Sequence, residues 1–313
     1  MCGIIGYCGS RNGVSVAIEG LRRLEYRGYD SAGVAVVKDD EIKLAKKSGK
    51  IANLEKVLAD NPMPESGTAI GHTRWATHGA PNDTNAHPHL SDDSRVALVH
   101  NGIIENYAEL RAELSATGIT FSSETDTEVV SHLLAIELET SGDLLTAMYA
   151  VVNRLAGAFT LVAVDAHQPN RVIAARHNSP LVVGLGDGEN FLASDVAAFI
   201  AHTQKAIELG QDQIVELTPD SVTITNFDQT PAKTREYTIN WDLSAAEKSG
   251  FDWFMRKEIF DQPQAIADTL LGRYNERGEL VLDEINISFE ELRRINKIVI
   301  VACGTAFYAG MVA

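Results

Sequence analysis

A cysteine stands at position 2, at the start of the apolar segment MCGIIGY (residues 1–7). Initiator methionine is usually removed before a small residue, so we expect a chain whose first residue is Cys2. Its thiol and free α-amine, with ordinary pKa values of about 8.5 and about 7.7–8.0, would supply a nucleophile and its base. Gly3 would leave room beside the thiol for a substrate. Taken alone, Cys2 is better explained as a small buried hydrophobic residue in a first strand.

Residues 100–102, His-Asn-Gly, offer donors for an oxyanion. A nucleophile that attacks an amide creates negative charge on oxygen, and donors aimed at that oxygen stabilise it. The segment ends a predicted strand, so the Asn101 side-chain NH₂ and the Gly102 N–H can point at one oxygen. The alternative is a simple Asn-Gly turn, which is common.

Residues 72–79, HTRWATHG, contain side chains suited to an amino-acid substrate. Arg74 can hold a carboxylate through two parallel hydrogen bonds. Thr77 and His78 offer further polar contacts, and Trp75 is a candidate for a movable cover. The alternative is a surface loop anchored by its tryptophan.

Asp126, in the segment SETDTEV (123–129), would complete such a pocket. A free amino acid carries one carboxylate and one ammonium, so an arginine and an aspartate in one site suit it. The alternative is structural, because an acid in the first turn of a helix is favoured by the helix dipole. Arg27, in YRGYDSAG (26–33), is a candidate for lowering the thiol pKa of Cys2, although this segment alone is more typical of a tight turn.

Several histidines raise a metal site as a further alternative. The sequence HPH at 87–89 accompanies His72, His78 and His100. No third ligand falls at the spacing of a zinc site, so we expect no metal.

The elements that must position these residues come in blocks rather than in strict alternation. Several predicted strands look buried on both faces, which favours two packed sheets with helices outside, an α+β class. Strands are predicted over 2–8, 32–37, 41–46, 68–75, 95–102, 157–165, 171–176, 181–184, 190–194, 213–218 and 221–227, and helices over 14–25, 51–60, 105–116, 125–140 and 143–155.

Composition limits the class of protein. The chain has 313 residues, which fits two domains, and a net charge of −16, which argues against nucleic-acid binding. Three cysteines give no disulfide framework and favour a reducing compartment. No secretory signal is present, and no apolar run approaches the roughly 20 residues that span a membrane. We therefore expect a cytoplasmic protein without a membrane partner.

The segment 228–250 is polar and has little apolar periodicity, so we place the domain boundary between residues 240 and 241. Beyond it the sequence predicts a helix over 251–272, interrupted at Pro263, and another over 288–296. The last segment, KIVIVACGT (297–305), is typical of the first strand of a parallel sheet that binds a nucleotide or a sugar phosphate. One strand cannot bury its own faces, so we expect the chain to be the front part of a longer protein.

Together these motifs resemble the class II glutamine amidotransferases, which are N-terminal-nucleophile enzymes with a four-layer αββα fold. The segments that carry the resemblance are MCGIIGY, LEYRGYDSAG, GHTRWATHG, NAHPH, VHNGIIEN and SETDTEV. Three segments resemble one branch of the family, in which ammonia is passed to fructose 6-phosphate: YRGYDSAG, RKEIFDQP (256–263) and VACGT (301–305).

The resemblance implies a role for each site residue. Cys2 is the nucleophile and its α-amine the base, and Asn101 and Gly102 form the oxyanion hole. Glutamine is bound by Arg74 at its α-carboxylate, by Asp126 at its α-amine, and by Thr77 and His78. Trp75, supported by Arg27, gates the path of ammonia to a second site, and Thr305 is part of a sugar-phosphate site. No metal and no organic cofactor is implied.

The branch also implies a domain organisation. Residues 1–240 form the glutaminase domain, and 241–313 form a linker and the truncated start of an α/β sugar isomerase (SIS) domain. The full-length protein is expected to be a homodimer that makes glucosamine 6-phosphate, and this chain a monomeric glutaminase. One departure is Ala306, where the family commonly has serine after CGT. Two alternatives stay open: an amidotransferase with another acceptor, and an inactive sensor of glutamine or a sugar phosphate.

Overall fold

The computed structural model describes residues 2–240, 251, 253–270, 287–302 and 304–312. The chain divides into two compact units, Met1–Glu247 and Lys248–Ala313. Across the described residues, no helix is both long enough and apolar enough to cross a membrane.

The first unit is built on two antiparallel sheets. Its strands are β1 (Gly3–Gly9), β2 (Ser31–Lys38), β3 (Glu41–Ser48), β4 (Thr68–Arg74), β5 (His89–Leu90), β6 (Val96–Ile104), β7 (Gly157–Asp165), β8 (Val172–His177), β9 (Val182–Leu185), β10 (Glu189–Ala193), β11 (Lys205–Glu208), β12 (Gln213–Leu217), β13 (Val222–Asn226) and β14 (Glu236–Thr238). The eight-stranded sheet has the order β14-β11-β9-β10-β1-β4-β2-β3, and the six-stranded sheet β13-β12-β8-β7-β6-β5. Strand β1 therefore lies in the interior of its sheet.

Helices cover the outer faces of the two sheets. They are α1 (Gly13–Leu24), α2 (Ile51–Asp60), α3 (Tyr107–Ala116), α4 (Thr127–Ser141) and α5 (Leu144–Val152). Helices α1 and α2 pack on the eight-stranded sheet in one apolar cluster, and α3 to α5 pack on the six-stranded sheet in another. A third cluster lies between the sheets.

The side chains of β1 alternate between two of these apolar clusters. Successive side chains of a strand point to opposite faces. Ile5 accordingly joins the cluster with α1, whereas Ile4 joins the cluster between the sheets. Both residues are fully buried. The predicted α+β class with two packed sheets is confirmed.

Three short strands were missed by sequence periodicity: β5, β11 and β14. They have two, four and three residues, too few to show a period. They exist through their pairing: β5 with β6, and β11 with β9 and β14.

The second unit contains helices α6 (Phe254–Leu270), α7 (Phe289–Arg294) and α8 (Gly304–Val312). Pro263 lies inside α6. Helix α7 begins with a capping box, in which the Ser288 hydroxyl accepts a hydrogen bond from the Glu291 N–H and the Glu291 carboxylate accepts one from the Ser288 N–H. The predicted helices at 251–272 and 288–296 correspond to α6 and α7, although residues 252, 271 and 272 lie outside the described residues.

The predicted strand at 297–303 is wrong over the described residues 297–302, which belong to no strand. An apolar run becomes a strand only when neighbouring strands satisfy its backbone groups, and no strand is described in this unit. Val299 and Val301 are 69% and 92% exposed. Residue 303 lies outside the described residues, so the start of an isomerase domain stays a prediction.

Candidate active site

A cavity of about 440 Å³ lies at the start of β1. It gathers residues from both sheets and from the loops that follow their strands. Its wall includes every predicted site residue except His78 and Thr305, namely Cys2, Arg27, Arg74, Trp75, Thr77, Asn101, Gly102 and Asp126. The side chain of Thr305 lies outside what the structure describes, so its role in a sugar-phosphate site stays a prediction.

Cys2 lies at the cavity because β1 pairs with β4. Gly3 faces Thr73 across the two strands, so the residue before β1 meets the residues at the end of β4. The backbone N–H of Trp75 donates to the Cys2 sulfur at 3.1 Å. Burial raises the thiol pKa of Cys2, while the Trp75 N–H and the charge of Arg74 act in the opposite direction. The thiol is therefore protonated at neutral pH, and its attack requires a base.

The structure gives a different reason for glycine at position 3 from the predicted one. A Cβ at this position would lie 2.5 Å from Thr73 Oγ1 and 2.6 Å from Leu24 Cβ. Gly3 thus lets α1 and β4 pack closely against β1. The requirement comes from packing inside the protein rather than from space for a substrate.

Asn101 and Gly102 lie inside β6, so the alternative of a simple turn is wrong. They pair with Thr160 and Phe159 of β7. Asn101 Nδ2 donates to the backbone oxygen of Cys2 at 3.0 Å. Gly102 has φ +131°, and a Cβ there would lie 1.9 Å from the Ala158 oxygen. Only glycine fits this position.

Arg74 ends β4, and its side chain reaches the loop that follows. Its guanidinium donates to the backbone oxygens of His78, Gly79 and Ala80, the last two at 3.3 and 3.4 Å. Its own carbonyl accepts the N–H of Asp30 at 3.1 Å. Arg74 thus keeps the loop closed while its guanidinium forms part of the cavity wall.

Asp126 immediately precedes α4, but its carboxylate makes no capping hydrogen bond. Its Oδ2 accepts the N–H of Ile104 at 2.8 Å, and its Oδ1 lies 3.9 Å from His78 Nδ1. Thr125 accepts the N–H of Glu128 at 3.4 Å instead. The Asp126 carboxylate therefore belongs to the cavity and to the end of β6, not to the helix cap.

Arg27 and Trp75 lie at the cavity in different settings. Arg27 Nη1 donates to Asp195 Oδ2 at 2.9 Å, and Arg74 is one of the positive charges that lower the Cys2 pKa. The predicted role of Arg27 in lowering the Cys2 pKa stays a prediction. Trp75 is half exposed, and its ring packs edge-on against Tyr29 with centroids 5.5 Å apart.

Four of the histidines considered as metal ligands lie buried together beside the cavity. His72 stacks on His87 with ring centroids 4.3 Å apart, and His87 meets His89 edge-on. Burial lowers the pKa of His72 to about 3, and also lowers the pKa values of His87, His89 and His100. The rings are neutral. Within the described part of the chain, no cluster of three or more His, Cys, Asp or Glu side chains could hold a metal.

Hydroxyl groups hold three of these rings. Thr127 Oγ1 lies 2.9 Å from His87 Nε2 and 2.9 Å from His100 Nδ1, and Thr125 Oγ1 lies 3.1 Å from His89 Nε2. Both threonines come from the segment SETDTEV. The cluster thus joins the start of α4 to the loop that contains the HPH sequence.

Sequence reasoning missed the far wall of the cavity. Asn178, Ser179 and Pro180 form it, and the Ser179 oxygen accepts hydrogen bonds from Thr160 Oγ1 at 2.9 Å and Arg176 Nε at 2.8 Å. Its only local signal is an Asn-Ser-Pro sequence typical of turns. The other lining residues without a predicted role are His72, His87, His100, Ile103, Glu105, Thr125, Thr127 and Ala158.

Comparisons with known proteins show which family the chain belongs to. A family model described as a glutamine amidotransferase domain matches residues 59–236, more than half of the chain. A Streptomyces coelicolor protein named glutamine–fructose-6-phosphate aminotransferase (isomerizing) is 61% identical over 100% of this chain and 51% of its own length. The protein of that name from Corynebacterium efficiens is 57% identical over 100% of this chain and 52% of its own. The chain spans about half the length of the curated relatives it matches.

A solved structure shows a similar fold. It is the glutamine phosphoribosylpyrophosphate amidotransferase from B. subtilis, in complex with ADP and GMP, which matches with a TM-score of 0.61 at 24% identity. The match covers 74% of this chain and 50% of that chain. With the domain model matching more than half of the residues, the chain belongs to the glutamine amidotransferase domain family.

Proposed function

We propose that this chain hydrolyses L-glutamine to glutamate and ammonia through a thioester on Cys2. The observation that carries the proposal is one cavity that holds the Cys2 sulfur, the Asn101 amide, the Arg74 guanidinium and the Asp126 carboxylate. These groups match a thiol nucleophile, an oxyanion donor and the two charged ends of an amino acid. The fold that supports this chemistry is the four-layer αββα type of N-terminal-nucleophile hydrolases.

The chemistry follows from the thiol's surroundings. Because burial keeps the Cys2 thiol protonated, the α-amine of Cys2, once exposed by removal of Met1, takes the proton as sulfur attacks the side-chain carbonyl of glutamine. The resulting oxyanion receives hydrogen bonds from Asn101 Nδ2 and the Gly102 N–H. Collapse of this intermediate breaks the C–N bond, and the α-ammonium returns its proton to the leaving ammonia. Water then hydrolyses the thioester to glutamate and regenerates the thiol.

The remaining site residues bind the amino-acid part of glutamine. Arg74 pairs with the α-carboxylate through two hydrogen bonds, and Asp126 pairs with the α-ammonium. Thr77 and His78 complete the polar contacts, since Thr77 lines the cavity and His78 lies beside Asp126. Trp75, half exposed beside Tyr29, covers the exit for ammonia.

In the full-length protein we propose that ammonia is delivered to fructose 6-phosphate, to make glucosamine 6-phosphate. The support is the shared name of relatives that are 61% and 57% identical and about twice as long. Residues 1–240 are then the glutaminase domain, and 241–313 begin a sugar isomerase domain that contains Thr305 and dimerises when complete. Because the mechanism needs a free thiol at Cys2, the reducing cytoplasm is the compartment that suits it.

The direct test is the release of glutamate and ammonia from L-glutamine. Intact mass spectrometry first establishes that Met1 is absent. We expect the processed chain to hydrolyse glutamine and to form no glucosamine 6-phosphate when fructose 6-phosphate is added. Fusion to the missing C-terminal part should restore that product. A folded, processed chain that leaves glutamine unchanged would contradict the proposal and favour an inactive sensor.

Replacing Arg74 with lysine should raise KM for glutamine by about 10- to 50-fold, with kcat changed less than about threefold. Lysine keeps the charge but loses the planar fork that binds a carboxylate with two bonds. Steady-state kinetics with L-glutamine measure this. Arg95→Lys is the matched control, because Arg95 also forms a forked pair, with Asp165 at 3.0 and 3.2 Å, away from the cavity wall. Equal KM values in the two variants would show that Arg74 does not bind the substrate.

A further inference from the structure

One buried side chain crosses from the eight-stranded sheet to the predicted oxyanion hole. His72 belongs to β4 and faces Ile4 of β1, so its ring enters the layer between the sheets. Its Nε2 lies 3.0 Å from the backbone oxygen of His100 and 3.0 Å from Asn101 Oδ1. His72 is 1% exposed. The ring therefore touches the residue whose amide faces Cys2.

The two contacts of Nε2 determine where its proton lies. A carbonyl oxygen only accepts hydrogen bonds, so the bond to His100 requires a proton on Nε2. That proton would clash with an NH₂ group, so the atom of the Asn101 amide that faces His72 must be the oxygen. The NH₂ group of Asn101 is thereby turned toward Cys2, where Nδ2 donates to the backbone oxygen at 3.0 Å.

The ring itself is held in place and does not change charge in the working pH range. It stacks on His87 at a centroid distance of 4.3 Å and an angle of 22°. His87 is in turn bound to Thr127 Oγ1 at 2.9 Å. Burial lowers the His72 pKa to about 3, so a neutral ring with one proton persists at neutral pH.

We propose that His72 is a positioning residue, which fixes the orientation of the Asn101 amide so that its NH₂ group stabilises the oxyanion. The proposal rests on the proposed glutaminase function and adds a residue that the recognised motifs left without a role. His72 lines the cavity but is almost fully buried, so it acts through Asn101 rather than by binding the substrate. Its loss should therefore affect kcat far more than KM.

The test compares two substitutions of His72. His72→Phe keeps the ring and its stacking but removes the Nε2 donor, so kcat for glutamine should fall about 100-fold, the order found when one oxyanion donor is lost. KM should change less than about threefold. His72→Gln places an amide donor at the position of Nε2 and should recover kcat to within about tenfold of the unmodified chain.

A second measurement separates positioning from damage to the site. Alkylation of Cys2 by iodoacetamide forms a carbon–sulfur bond as iodide leaves, and no oxyanion develops. Its rate should therefore be unchanged in His72→Phe. His89→Phe is the matched control, since His89 belongs to the same buried cluster but contacts Thr125 rather than Asn101. We expect its kcat to stay within about threefold.

A double-mutant cycle with Asn101→Ala tests directly whether His72 acts through Asn101. Once the Asn101 amide is gone, removing the His72 donor should cost no further activity. Equal losses in both backgrounds, or a parallel fall in alkylation and kcat, would overturn the positioning role. Absence of glutaminase activity in the unmodified, processed chain is a different result and would overturn the proposed function instead.

Discussion

Substitution of Cys2 by alanine is expected to lower the kcat of glutamine hydrolysis by at least about 10⁴-fold, because a covalent mechanism has no second route when its nucleophile is lost. The fold should persist, since Cys2 precedes β1 and is only partly buried. Release of ammonia and glutamate measures the activity, and circular dichroism measures the fold. Hydrolysis at the unmodified rate would show that Cys2 is not the nucleophile.

Cys8→Ala is the matched control, in the strand β1 that follows Cys2. Cys8 is fully buried, and burial raises the pKa of its thiol to about 11, so it is unreactive at neutral pH. We expect this variant to retain kcat within about threefold. Peptide mapping after iodoacetamide treatment should find the label on Cys2 and not on Cys8. Labelling of Cys8 in the folded chain would contradict the burial on which the comparison depends.

Substitution of Gly102 by alanine is expected to have the second large effect, on both activity and stability. A Cβ would lie 1.9 Å from the Ala158 oxygen, and the φ of +131° is one that alanine rarely adopts. β6 and β7 must then separate at Gly102, which is one of the residues that line the cavity. We expect kcat to fall at least about 10³-fold and the free energy of unfolding to fall by roughly 3 kcal/mol or more.

Gly118→Ala isolates the contribution of backbone strain. Gly118 also has a positive φ, +97°, but a Cβ there would meet nothing within 4 Å. This substitution should lower the free energy of unfolding by about 1 kcal/mol and leave kcat unchanged. Urea unfolding and steady-state kinetics on both variants make the comparison. If the two variants lost the same stability, close contact between β6 and β7 would not explain the requirement for glycine.

Local patterns predicted most of the strands and helices, because a buried strand or an amphipathic helix shows its own period. They failed where a strand exists through pairing alone. Strand β14 has three exposed residues and is held by β11. The reverse error occurred at 297–302, where an apolar run alone did not produce a strand. Periodicity reports which side chains need burial, and it says nothing about whether a pairing partner is near.

The candidate site shows the same limit at the level of single residues. Cys2, Arg74 and Asn101 could be selected because their chemistry is unusual at those positions in the sequence. The orientation of the Asn101 amide could not be predicted, because it depends on a contact with His72, which lies on the other sheet. For Asp126 the sequence left a structural alternative, an acid favoured by the helix dipole, and it could not show that the carboxylate accepts the N–H of Ile104. Contacts between distant segments are what a single sequence does not show, so the roles of these residues stay predictions.

The interior position of β1 sets an order of events during synthesis. Every residue of β1 is buried between β4 and β10, so a peptidase that must grip an extended chain end can act only before these strands pair. Translation adds about 5–20 residues per second, so the roughly 60 residues from β1 to β4 emerge in about 3–12 s. On the proposed mechanism, the rate of Met1 removal relative to the rate of β1 pairing would then set the fraction of active protein.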